Sequence, residues 1–123
     1  MSTHTTPDAY VIVFPGSNGD RDLYEALQAC DFNVAYHPAA ERLPEAAKLV
    51  ALPGGFSYGD YWRAGMLASQ AAAVRDIGAH VARGGLVIGI CNGFQILVEA
   101  GWLPGALRHN TPASFRHRWV DLH

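Results

Sequence analysis

The 123-residue chain has little cysteine, few charges and no long apolar run. Each shortage excludes something. Its two cysteines, Cys30 and Cys91, lie too far apart for a disulfide framework or a metal-binding spacing. No metal is therefore expected, and a reducing compartment is the natural setting. Charged residues make up 16% of the chain and the formal net charge is −2, so no general attraction to nucleic acid or an anionic membrane is expected. The apolar runs are far too short to cross a bilayer. The opening residues MSTHTTPDAY lack the basic and apolar regions of a signal peptide, which predicts a cytoplasmic protein.

What is present is apolar and punctuated. Half the residues are hydrophobic, enough for one small domain, residues 1–123, preceded by a polar arm at residues 1–8. AYVIVF (9–14), NVAYH (33–37), KLVALP (48–53) and LVIGI (86–90) read as strands. In the first helix Leu23, Ala26, Leu27 and Cys30 form one stripe, so Cys30 is expected to be a small buried hydrophobe. Asn18 or Asp20 is placed to cap that helix. A long helix is expected over much of 61–83, burying Leu67, Ala71, Val74, Ile77 or Gly78, and Val81 and leaving His80 exposed. A last helix should span 92–100, with Phe94, Leu97 and Val98 on its inner face. Strands alternating with helices predict a parallel sheet covered on both faces, with PGSNGD, PGGFSYGD and CNGFQ gathered at the carboxyl ends of its strands.

Cys91 stands out from Cys30. Gly89-Ile90-Cys91-Asn92-Gly93 is the cysteine form of the strand–turn–helix elbow that exposes a nucleophile at the top of a sheet. The helix end behind it favours thiolate over thiol. The backbone N–H of Asn92 would face a developing oxyanion, with a second donor available from the bare backbone at Gly54-Gly55. The bland alternative is a cysteine that merely packs in a glycine-rich turn.

Three stretches, VIVFPGSNGD, LPGGFSYGDYWRAG and GICNGFQILVEAGWLPGAL, together resemble the glutaminase subunits of phosphoribosylformylglycinamidine synthase, among the class I (triad) glutamine amidotransferases. The likeness extends to RWVDL near residue 120. It implies a flavodoxin-like α/β core in which Cys91 attacks the side-chain amide of L-glutamine, forming a γ-glutamyl thioester and releasing ammonia for de novo purine biosynthesis. It further implies that Gly55 and Asn92 supply the backbone oxyanion donors and that Gln95 helps to seat the glutamine, although Gln95 also fits a solvated helix position. A large synthetase subunit and a small bridging subunit are the implied partners. ATP and Mg²⁺ are expected on the synthetase, and no cofactor in this chain. PGGFSYGDY and Gln95 argue against the alternative of a stress-associated hydrolase of the DJ-1 type.

Two departures from that family stand out. Gly19 occupies the place of a second, non-nucleophilic cysteine in many members, with little consequence expected. The family's catalytic histidine and its acidic partner, in an H-x-E arrangement, lie beyond RWVDL, and these 123 residues contain no such motif. His109, His117 and His123 do not reproduce its spacing. FRHRWVDLH is expected to be a strand, with Phe115, His117 and Trp119 on one face, and to belong to a truncated form whose C-terminal part is missing. In that case a catalytically incomplete binding or scaffold module is the competing reading. The basic cluster Arg108, His109, Arg116, His117 and Arg118 fits a solvated strand face or a phosphate or partner site equally well.

Overall fold

The computed structural model describes residues 6–123, so most of the polar arm lies outside the described residues. Strands β1 (Ala9–Val13), β2 (Val34–Pro38), β3 (Leu49–Leu52) and β4 (Leu86–Gly89) form one parallel sheet in the order β2-β1-β3-β4. The chain winds outward from β1 in both directions, as in doubly wound α/β folds. The predicted parallel sheet with helices on both faces is what the structure contains. Among the described residues, no helix is long and apolar enough to cross a membrane.

Strand alternation divides the core in two. Ala9, Val11, Leu49 and Ala51 face α1 (Asp20–Ala29), where Leu27 is buried and Leu23, Tyr24 and Phe32 pack alongside. Tyr10, Ile12, Val50 and Leu52 face the opposite layer, built from α2 (Ala72–Arg75), α3 (Ile77–Ala82) and α4 (Asn92–Glu99). The central strands are apolar throughout because both of their faces are covered. β4 is not fully covered. Leu86 and Ile88 pair in register with Leu49 and Ala51, yet α1 packs on β1 and β2, and both β4 side chains remain exposed.

Several expectations are corrected by tertiary contacts. The helix proposed over 61–83 is instead a 3₁₀ turn (Ala68–Gln70) followed by the two short helices α2 and α3. The chain is drawn onto the segment after β2: Ala73 N–H donates to Ala39 O at 2.9 Å, and Leu43 N–H donates to the Asp76 carboxylate at 2.9 Å. A continuous helix would use the Ala73 N–H internally, so the tertiary bond requires a helix start there. Leu67 and Val81 are consequently exposed, while Val74 and Ile77 stay buried. His80 is fully buried, opposite to expectation, and its Nε2 lies 2.9 Å from Leu86 O, a geometry in which Nε2–H donates. On α4, Phe94 is exposed and Ile96 takes its place in the core. Residues 115–123 form no strand and are exposed throughout, Trp119 completely, because no neighbouring strand pairs with them.

Cys30 is exposed rather than core. The helix ends one residue too early for the stripe to reach it. Asp31 turns left-handed (φ 68°), Phe32 N–H donates to Leu27 O, and Asp31 N–H donates to Gln28 O. This is a Schellman closure, and Phe32 packs, partly buried, against the core beside Leu27. Neither Asn18 nor Asp20 caps the helix; Gly19 occupies the cap position without a side-chain bond. Because a left-handed aspartate costs about 1 kcal/mol, Asp31→Gly is expected to raise stability by ~0.5 kcal/mol net of the added chain freedom, as read from the urea midpoint at unchanged m.

Candidate functional site

The three glycine-rich loops do meet at the carboxyl end of the sheet. The loop after β1 is sewn to the loop after β3 by backbone bonds: Asn18 N–H and Gly19 N–H both donate to Gly54 O (3.2 and 3.1 Å), and Phe56 N–H donates to Gly16 O (3.0 Å). Gly55 lies in this seam at φ 138°, where a Cβ would come within 2.6 Å of Asn18 N. Only glycine fits there.

Beyond β4, Ile90 N–H still donates to Leu52 O at 2.9 Å, and the chain then turns sharply. Cys91 adopts φ 52°, ψ −108° as the residue preceding α4. That conformation is sparsely populated for a side-chain-bearing residue and costs about 1–3 kcal/mol. It is the strained elbow that the sequence pattern predicts. A Cβ on Gly93 would collide with the Leu52 carbonyl, and one on Gly89 would come within 2.8 Å of the Gly93 carbonyl carbon. The flanking glycines therefore let the start of α4 lie directly against β3 and β4.

Cys91 is exposed and lines a depression of about 510 Å³ with Asn18, Gly19, Asp22, Gly54, Gly55 and Ile90. Gly54 is close enough that a Cβ built on it would lie 3.5 Å from the Cys91 Cβ. Asn92 is the first residue of α4, so its N–H has no acceptor within the helix. Cys91, Gly55 and Asn92 are thus gathered at one place. The sequence suggests Asn18 only as a helix cap and gives no role to Asp22, yet both line this depression. The PGSNGD loop was marked as convergent, but which of its side chains would face the depression depends on the seam to Gly54.

Gln95 is not gathered there. It is half-buried and lines a separate depression of about 270 Å³ with Arg63, Ala64, Glu99, Leu107, Arg108 and His109. Its Oε1 accepts from Asn92 Nδ2 at 2.9 Å. The Asn92 side chain is itself almost wholly buried (1% exposed) and also accepts from Ser57 N–H at 3.1 Å and donates to Asp60 Oδ1 at 3.3 Å. None of His109, His117 and His123 lines the depression beside Cys91. The aromatic-rich loop after β3 leaves Phe56, Tyr61 and Trp62 exposed, and Arg63 forms a two-bond pair with Glu99 at 3.0 and 2.9 Å. Arg63 holds the Glu99 carboxyl below its ordinary value, chiefly by hydrogen bonding, with its charge adding to that effect and burial opposing it.

Two measurements check this geometry. Gly93→Ala is expected to cost about 1–3 kcal/mol in chemical denaturation, because Leu52 O is backbone and cannot step aside. For the ion pair, a carboxyl whose folded pKa is depressed contributes stability that is present above its unfolded pKa and lost as pH falls through the folded value. Arg63→Gln should therefore be less stable than wild type at pH 7. The gap between their denaturant midpoints should close as the pH falls below the depressed Glu99 value.

Comparison with known proteins accords with the elbow. The pattern defining the CobB/CobQ-like glutamine amidotransferase domain matches residues 6–123. The phosphoribosylformylglycinamidine synthase subunit PurQ of Ruegeria sp. (strain TM1040) is 50% identical over 116 residues, covering 93% of this chain and 52% of that protein. The PurQ of Thermotoga maritima is 48% identical, covering 94% and 54% respectively. A chain in the solved structure of PurLQS from Thermotoga maritima superposes with a TM-score of 0.81 at 46% identity, over 94% of this chain and 54% of that one. The chain spans about half the length of these relatives. With a strained cysteine elbow on a parallel sheet and a family pattern matched from residue 6 to residue 123, this chain belongs to the CobB/CobQ-like glutamine amidotransferase domain family.

Proposed function

We propose that this chain carries the nucleophile half of a glutaminase site that feeds ammonia to a phosphoribosylformylglycinamidine synthase. The observation that carries the reading is Cys91: exposed, strained at φ 52°, and next to the backbone of Gly54-Gly55 and the start of α4. In this reading the Cys91 sulfur attacks the side-chain amide carbon of L-glutamine. The tetrahedral oxyanion is held by the N–H groups of Asn92 and Gly55. Collapse breaks the C–N bond, the nitrogen leaves as ammonia once protonated, and a γ-glutamyl thioester remains on Cys91. Water then cleaves the thioester to glutamate and restores the thiol, so glutamine plus water gives glutamate plus ammonia.

The protonation and the activation of water need a base. Among the described residues no histidine lines the Cys91 depression, so this reading assigns the base to no residue named above. Gln95, which faces the neighbouring depression, would seat glutamine only through its contact with Asn92. The synthetase and bridging subunits implied by the PurQ relatives are the partners in this reading, with ATP and Mg²⁺ on the synthetase and the whole assembly in the cytoplasm.

A γ-electrophilic glutamine analogue (a diazoketone) tests the nucleophile without requiring turnover. It should modify the 123-residue chain once, at Cys91, with free L-glutamine protecting. Cys30, although exposed, should take up only a small non-selective alkylator. Glutamate release with the synthetase present, and Cys91→Ala as blank, tests the full reaction. Equal analogue capture by Cys30, or none at Cys91, would remove the nucleophile assignment. Capture without glutamate release would leave a binding or scaffold module.

A further inference from the structure

We propose that the side chain of Asn92 is a positioning residue, a clamp that holds the segment 56–60 against the helix start carrying Cys91; this rests on the reading of Cys91 as the nucleophile. The 56–60 segment directly follows the Gly54-Gly55 backbone that borders the cysteine. It is unusually strained. Tyr58, Gly59 and Asp60 are consecutive left-handed residues at φ 53°, 66° and 56°, and two of them carry side chains. Such a run persists only where its surroundings hold it.

The backbone bonds of this segment run back toward β1 and within itself. Phe56 N–H donates to Gly16 O, Tyr58 N–H to Pro15 O and Gly59 N–H to Phe56 O. They fix the segment to the loop after β1 and leave its relation to α4 to side chains. The Asn92 carboxamide supplies that relation. Its Oδ1 accepts from Ser57 N–H, one amide hydrogen goes to Asp60 Oδ1, and the other goes to Gln95 Oε1 on the next helical turn.

The chemistry of the three partners sets the orientation of the amide. A backbone N–H demands an oxygen on one side, and a carboxylate demands a hydrogen donor on the other. Few other side chains meet both demands at this length. Aspartate keeps the shape but turns the bond to Asp60 into a carboxylate–carboxylate contact, and it stays bonded to Gln95 only if that amide flips to donate. Serine is too short, and glutamine adds a methylene at a buried position. The clamp therefore couples the two backbone elements that flank the Cys91 sulfur, and loosening it should misplace Gly55 relative to Cys91 without unfolding the sheet.

The test uses Asn92→Asp and the swap variant Asn92→Asp/Asp60→Asn, in which residue 60 supplies the hydrogen and residue 92 accepts it. Amide hydrogen exchange of residues 55–60 should rise at least tenfold in Asn92→Asp and return toward wild type in the swap. Capture of the γ-electrophilic glutamine analogue at Cys91 should slow at least tenfold in Asn92→Asp and recover in the swap. Alkylation of Cys91 by iodoacetamide, which needs no seated substrate, should stay within twofold between wild type and the swap, which carry the same net charge. Unchanged exchange at 55–60 would overturn the clamp, whether or not Cys91 reacts as a nucleophile. Unchanged analogue capture despite raised exchange would overturn its positioning role. If wild type fails to capture the analogue at Cys91, the nucleophile reading falls and the positioning role with it, while the exchange result still decides the clamp.

Discussion

The backbone at Gly93 lies so close to the Leu52 carbonyl that no side chain fits between them. That approach is possible because β3 and β4 pair in parallel up to Leu52 and Gly89, and Ile90 N–H continues the ladder for one more bond to Leu52 O. A helix that must begin immediately above its own strand, against a neighbouring strand, leaves one residue to reverse the chain. Cys91 is that residue, and its left-handed φ is the geometric consequence. The strain at the cysteine is held by the ladder below it and by the burial of Ile96, Leu97 and Val98 behind it.

The same edge of the sheet is organised twice over. Backbone bonds between the loops after β1 and β3 make a rigid rim around Gly54 and Gly55. Side-chain bonds from Asn92, and the Arg63–Glu99 pair two turns farther on, attach the following aromatic loop to α4. The rim is backbone-made, so it depends on glycine at positions where a Cβ would collide. The attachment to α4 is side-chain-made, so it depends on the identity of a few polar groups. These are the two ways in which substitutions can disturb the neighbourhood of Cys91: steric at the glycines, and through hydrogen bonding at Asn92, Asp60, Arg63 and Glu99.

The two sheet faces are unequal. One carries a continuous layer from Ala68 through α4, while the other carries α1 over β1 and β2 and leaves Leu86, Ile88 and Ile90 exposed beside it. The apolar character of β4 matches that of a strand covered on both faces, although only the face bearing Val87 and Gly89 is packed.

What the sequence by itself determined is whatever depends on near neighbours. Continuous apolar runs placed the four strands within a residue or two of their observed bounds, and glycines at spacing two around Cys91 marked the elbow. Tertiary structure decided what depends on a partner distant in the chain. Two distant bonds divide the helix of 61–83: Ala73 N–H donates to Ala39 O, and Leu43 N–H donates to the Asp76 carboxylate. Closure at Asp31 packs the partly buried Phe32 beside Leu27 and leaves Cys30 exposed, and the carbonyl of Leu86 receives a buried His80. The strand expected at 115–123 finds no neighbour to pair with, and Gln95 turns to Asn92 instead of the cysteine's depression. Periodicity reports which side of an element is apolar. It does not report which backbone group an amide will meet thirty residues away, and that meeting is what sets the hydrogen bonds on which these positions depend.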